Sequence, residues 1–475
     1  MSRLGGKGWL LAACIALPIA LLYSSTTTRA DETALDVYVA APDDVYRWSL
    51  VKELPGDGYT TFVLELVSQQ WRTAGEVDRP IWTHWLTVVR PDNAQAGTAF
   101  LYIGGGSNRN PAPTSASDRV INLATGSNTV VAELGMVPNQ PLHFSDAPDE
   151  GRSEDDLVAY SRVQYIRTGD PNWLVRLPMV KSGVRAMDAI VEFLATEEGG
   201  NLDVESFVVA GGSKRGWTTW LVGLVDPRVV AIVPIVIDAL NTEAVTRHQY
   251  AAYGFFSSAL DDYVRHGLYP DLVGSPEYRE ILRITDPWEY RHRARLALPK
   301  FMVNSPGDQF FTPDNAQFYF HYMPGEKHLR YVPNTKHNLA GSDALESVLA
   351  FYQSILANEP RPELTWRREG EETLHLTTTG SPAAARLWQA TNPEARDFRL
   401  DTIGPAYRDT LLEPISPGRY TVSVETPAEG FTAFFVELTY EGTADVPLKF
   451  STEVFVVPDV LPFADADPFA APKRE

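Results

Sequence analysis

The sequence predicts an α/β protein built on a wound, mostly parallel sheet, and three observations carry that prediction. Short apolar runs at residues 99–103, 129–134, 207–210, 229–237 and 300–303 each lead into Gly, Asn or Asp, the pattern of strands covered by helices on both faces. Helical patterns fall between these runs, so strand and helix alternate. Segments that mix β-branched and aromatic residues stand before and after this region and read as antiparallel strands.

Taken in order, the first thirty residues read as an export signal. Arg3 and Lys7 precede a long apolar stretch at residues 8–23, and Thr28 and Ala30 sit at −3 and −1 of a cut before Asp31. The stretch, about 16 residues, is short for a membrane span. Leu11-Ala-Ala-Cys14 also reads as a lipoprotein box, and an uncleaved anchor is the third alternative. Each of these exports the chain, to the periplasm or beyond, and cleavage leaves no stable membrane span.

From residue 45 to 103 the chain reads as strands, at residues 59–68 and 81–90, with turn chemistry at Pro55-Gly56-Asp57-Gly58 and Pro91-Asp92-Asn93. Helical spacing follows at residues 182–196, closed by Gly199-Gly200, at 217–224 and at 343–356. Residues 241–293, rich in Tyr, Phe and His between two core strands, read as a helical cap inserted in an α/β domain of residues 31–360. Residues 361–457 return to alternation and turn signals and predict an antiparallel β-sandwich domain. The proline-rich residues 458–475 read as a loose tail.

Of 475 residues, 61 are acidic and 41 are Lys or Arg, a formal charge of −20 that speaks against nucleic-acid binding. The single cysteine, Cys14, lies in the signal, so a cleaved chain has no disulfide, no thiolate metal site and no thiol nucleophile. Neither an H-E-x-x-H nor a Cys/His cluster suggests a metal, and the Gly-rich run at residues 104–106 lacks the ending of a phosphate loop. No cofactor is expected.

The strongest chemical signal is Ala210-Gly211-Gly212-Ser213-Lys214-Arg215-Gly216, where an apolar strand turns through a serine into a helix. Such a turn lifts a hydroxyl above the sheet edge, and the helix N-terminus behind it favours developing negative charge. Arg215 stands where the usual G-x-S-x-G pattern has its second glycine. A serine nucleophile needs a base, and the base needs an acid that fixes its tautomer. Asp308 and His337 follow successive later strands in the order Ser, Asp, His. Asp238, at the end of an earlier strand, is the rival acid. The backbone N–H of Lys214, with that of Gly105 or Gly106, would form the oxyanion hole.

With these motifs, the Asp286-Pro-Trp segment, Leu298-Pro-Lys, Pro333-Asn-Thr-Lys-His337-Asn and Arg396-Asp-Phe-Arg399, the chain resembles the PhoPQ-activated pathogenicity-related family over residues 41–457. The resemblance implies an exported α/β-hydrolase-like fold with a C-terminal β domain, but no defined substrate. The elbow also resembles that of glucuronoyl esterases. The leading expectation is a serine hydrolase, carboxylesterase or peptidase-like, with Ser213, Asp308 and His337 as its triad and a small ester or peptide as substrate. Aromatic residues of the cap, Tyr250, Tyr253, Phe255, Phe256 and Tyr263, are candidates for the pocket wall. The alternative is a non-catalytic secreted interaction or signalling protein on the same scaffold. The sequence leaves the oligomeric state open.

Overall fold

The central strands are apolar throughout because neighbouring residues serve opposite faces of the sheet. Phe207 and Val209 pack in one core with Ile190 and Leu221, while Val208 and Ala210 pack in the other with Val120 and Phe351. The same split runs along residues 99–103 and 300–303. The computed structural model describes residues 32–466, 468 and 469. The expected signal, Cys14 and the cut before Asp31 lie outside the described residues.

Strands β1 (Arg47–Pro55), β2 (Tyr59–Gln70) and β3 (Ile81–Pro91) are antiparallel neighbours at one end of the sheet. Beyond them come β4 (Gln95–Ile103) and β5 (Thr129–Leu134), then a separate ribbon of β6 (Leu142–Phe144) and β7 (Ala147–Arg152). The sheet continues through β8 (Val204–Gly212), β9 (Val229–Ile235), β10 (Lys300–Asn304) and β11 (Lys327–Tyr331). Its order to this point is β1-β2-β3-β5-β4-β8-β9-β10-β11, and every pair from β5 to β11 is parallel.

After α1 (Ala34–Ala40) come α2 (Asp118–Ser127), α3 (Glu154–Thr168), α4 (Arg176–Leu194) and α5 (Lys214–Val225). The insertion between β9 and β10 is helical, as expected, with α6 (Thr242–Tyr253), α7 (Asp261–Arg265) and α8 (Pro276–Thr285); α9 (Ala344–Leu356) follows β11. Helices α4 and α5 cover one face of the sheet and α2 and α9 the other. This is an α/β-hydrolase-like scaffold with antiparallel N-terminal strands.

The C-terminal strands form a sandwich, but not a detached domain. They are β12 (Leu364–Glu369), β13 (Thr373–Thr378), β14 (Ala384–Asn392), β15 (Arg408–Leu411), β16 (Arg419–Ser423), β17 (Phe431–Tyr440), β18 (Leu448–Ser451) and β19 (Phe455–Val457). One layer is the three-stranded sheet β12-β13-β16, whose Leu374, Leu376 and Val422 share a core with Leu387, Val436 and Leu438. The other layer, β18-β17-β14-β15, is the central sheet itself, continued where Leu329 of β11 pairs with Ser451 of β18. Among the described residues no break in packing falls at residue 360, and from Thr33 onward they form one compact unit. The physical reason is that β11 would otherwise present an open edge of unpaired backbone groups. The described part of the tail is not loose either, since Phe463 N–H donates to the Ala251 carbonyl and its ring lies against Gly254 of the cap.

Candidate active site

Ser213 joins β8 to α5 with φ +57° and ψ −127°, a conformation that L-residues rarely adopt and that marks a strained, over-determined position. The flanking glycines explain how the turn closes. A Cβ on Gly211 would lie 2.7 Å from the Arg215 carbonyl oxygen, and one on Gly216 would lie 2.9 Å from that of Gly211. The second contact point is thus Gly216, one residue later than in the usual pattern, which frees Arg215 to point aside. Its Nε donates to the Val137 carbonyl at 2.5 Å and its terminal nitrogens pair with both oxygens of Glu154. Burial alone would raise the Glu154 carboxyl, but Arg215 and Lys214 outweigh it and hold it near 2. Glu154 opens α3, so a helix N-terminus rich in acid clamps the elbow from outside.

The structure brings Asp308 and His337 together. The loop after β10 carries Asp308, the loop after β11 carries His337, and His337 Nδ1 lies 2.7 Å from Asp308 Oδ2. The other carboxylate oxygen accepts the Phe310 N–H at 2.8 Å, which fixes the plane of the acid. Gln309 accepts the His337 N–H at 3.3 Å, and the Phe310 ring lies 4.4 Å from the imidazole. His337 Nε2 is buried without a hydrogen-bond partner among the described residues, so the ring offers a free nitrogen on the side away from its acid. Asp238 is not at the imidazole. It is buried between the hydroxyls of Tyr319 and Tyr331, each 2.6 Å away, and burial pushes its carboxyl up to about 7.

Ser213 borders two cavities. One, of about 410 Å³, is lined by Ser213 and His337 together with Tyr102, Arg119 and Leu345. The other, about 70 Å³, lies under the cap and is lined by Ser213, Lys214, Arg176, Tyr263 and Phe310 among others. Of the five cap aromatics expected at the wall, only Tyr263 lines this pocket. Tyr250 packs on Phe256, and Tyr253 and Phe255 line a separate cavity beside Arg396.

The Lys214 side chain pairs with Glu154 at 2.8 Å and Asp155 at 3.2 Å, and its backbone N–H stands at the α5 N-terminus. Ile103 pairs with Gly211, so the chain segments holding Gly105 and Ser213 leave the sheet side by side. Gly105 nevertheless faces the Arg215 guanidinium and lines a cleft with Trp85 and Asn110, while Gly106, at φ +123°, lies against Asn110 and Met136. Neither lines a cavity that Ser213 borders. Sequence reasoning missed Glu154, Gln309, Arg162 and Arg176; the one visible signal was Arg176 inside the apolar run at residues 173–180.

The sequence profile of the PhoPQ-activated pathogenicity-related protein family matches residues 35–399. The chain belongs to that family. Within known relatives, Autocrine proliferation repressor protein A of Dictyostelium discoideum is 38% identical over 480 residues, spanning 95% of this chain and 96% of that one. Among solved structures, this member of the PhoPQ-activated pathogenicity-related family is similar to the acetyl xylan esterase of Paenibacillus sp. R4, at TM-score 0.47 and 14% identity over 69% of this chain and 95% of that one. A glucuronoyl esterase from Solibacter usitatus matches at TM-score 0.39 and 14% identity, over 67% and 90% of the two chains.

Proposed function

We propose that the chain is an exported serine hydrolase that cleaves a small ester or amide. The observation that carries the reading is the placement of a strained serine and an imidazole with a free buried Nε2 on one cleft, the imidazole being held from behind by a carboxylate. In that reading Ser213 Oγ attacks the substrate carbonyl while His337 Nε2 takes its proton and Asp308 stabilises the resulting imidazolium. The oxyanion accepts a hydrogen bond from the Lys214 N–H, reinforced by the α5 dipole. His337 then gives its proton to the leaving alcohol or amine, and water, activated the same way, releases the acid from Ser213.

The relative named as a repressor of proliferation favours a second reading, a secreted signalling protein that keeps the scaffold without turnover. Activity separates the two. Purified protein offered activated acyl esters and aminoacyl amides is expected to turn over at least one class, and Ser213→Ala to lose that turnover while keeping its fold. Turnover that survives in the folded Ser213→Ala protein would place the chemistry elsewhere.

A further inference from the structure

The narrow pocket beside Ser213 is walled by two arginines that the reaction above does not use. Arg162 on α3 is 3% exposed and Arg176, the first residue of α4, is 4% exposed. Arg162 faces the rings of Tyr263 and Tyr278 at 5.5 and 5.9 Å, and its Nη1 has no hydrogen-bond partner among the described residues. Arg176 lies over Trp217 at 4.8 Å and gives one N–H to the Lys214 carbonyl at 2.7 Å, while its Nε has no partner among the described residues. The nearby acids are committed elsewhere: Glu154 to Arg215 and Lys214, Asp155 to Lys214 and the Tyr263 hydroxyl. Among the described residues neither arginine has a carboxylate within ion-pairing distance. Burying two like charges together without counter-ions is costly, and an anionic ligand removes that cost. Burial pulls Arg176 down to about 10, whereas at Arg162 burial is outweighed by Tyr278, Tyr263 and Tyr269, which hold the guanidinium above its ordinary value.

We propose that this pocket is the subsite for a carboxylate borne by the substrate, gripped by Arg162 and Arg176 while Ser213 attacks an ester or amide carbonyl a few bonds away. The proposal rests on the hydrolase reading and narrows its substrate class to esters or amides whose acyl or leaving portion ends in a carboxylate. A planar two-oxygen anion matches the guanidinium fork. Asp155 in the same wall opposes a doubly charged phosphate more than a singly charged carboxylate. Leu260, Tyr269 and Phe310 supply apolar wall for the carbons in between.

The test compares 4-nitrophenyl monoesters of glutaric and adipic acids with the valerate and hexanoate of equal length. Wild type is expected to favour the charged esters by about tenfold or more in kcat/KM, mainly through KM. Arg162→Gln and Arg176→Gln, each checked for folding by circular dichroism, are expected to bring that ratio close to one. In parallel, free adipate should raise the melting temperature of the Ser213→Ala protein but not that of the arginine variants, and inorganic phosphate should do so far less. Equal turnover of charged and neutral esters by wild type overturns the subsite and leaves the hydrolase standing. Stabilisation by adipate through the arginines, with no ester cleaved, keeps the carboxylate site and overturns the hydrolase. Phosphate acting as strongly as adipate overturns the carboxylate assignment. Wild-type preference and the adipate shift stand as tests even where one arginine variant fails to fold.

Discussion

Asp308 and Asp238 follow neighbouring strands and are both buried, yet their partners separate their work. Asp308 holds an imidazole and a backbone N–H, whereas Asp238 is bonded to two tyrosine hydroxyls. Asp308→Asn is therefore expected to cut kcat roughly 10³- to 10⁴-fold through the wrong histidine tautomer, with the melting temperature little changed. Asp238→Asn should cost far less. Kinetics of the two folded variants decide this, and the reverse ranking would move the acid to Asp238. Asp238 has a second consequence, in stability. Burial raises its carboxyl from 3.8 to about 7 against the pull of the tyrosines, so the native state binds more protons than the unfolded chain between those values. Its contribution is full below about pH 4 and is lost as pH rises through 7, with a slope of about 1.4 kcal/mol per unit. Denaturant titrations from pH 4 to 8 should show this fall in wild type and a flatter curve in Asp238→Asn; parallel curves would show that Asp238 keeps its ordinary carboxyl.

The elbow between β8 and α5 shows at the scale of the element how far the sequence could be read. An apolar strand, small residues, a serine and a helix are a local pattern, and so are the loops that carry Asp308 and His337; all three were legible because each follows its own strand. So was the later glycine, Gly216, but the particular contact it makes with the Gly211 carbonyl was not, because that depends on the angle at which the helix leaves the strand. Gly211→Ala places a Cβ against the backbone of Arg215 and is expected to destabilise the protein by about 2–3 kcal/mol in urea unfolding. A loss under about 0.5 kcal/mol, the range of surface substitutions, would mean that the turn has room to give. The inward turn of Arg162 and Arg176 was hidden for a different reason, with only the place of Arg176 in an apolar run as a signal. A lone arginine on a helix ordinarily reaches solvent with its stem along the surface, and only the cap packed over α3 and α4 turns these two inward.

Across the whole molecule the sequence yielded the layers but not their joins. Alternation in residues 361–457 correctly signals antiparallel strands, yet the pairing of Leu329 with Ser451 links segments more than a hundred residues apart and leaves no local mark. A chain truncated after residue 360 would lose the partner of β11 and expose one core layer, so it is expected to aggregate or to lack cooperative unfolding. A soluble truncated protein with a sharp melting transition would restore the independent domain.

Reaction of the intact chain with a fluorophosphonate tests the serine assignment most directly, because the phosphoryl oxygen occupies the place of the oxyanion and the reaction needs Ser213 and His337 acting together. Intact-mass analysis of wild type is expected to show one adduct per chain, mapped by peptide sequencing to Ser213 and absent from Ser213→Ala and strongly slowed in His337→Ala. A folded wild-type protein that takes up no probe between pH 6 and 9, or an adduct on another residue, would contradict it.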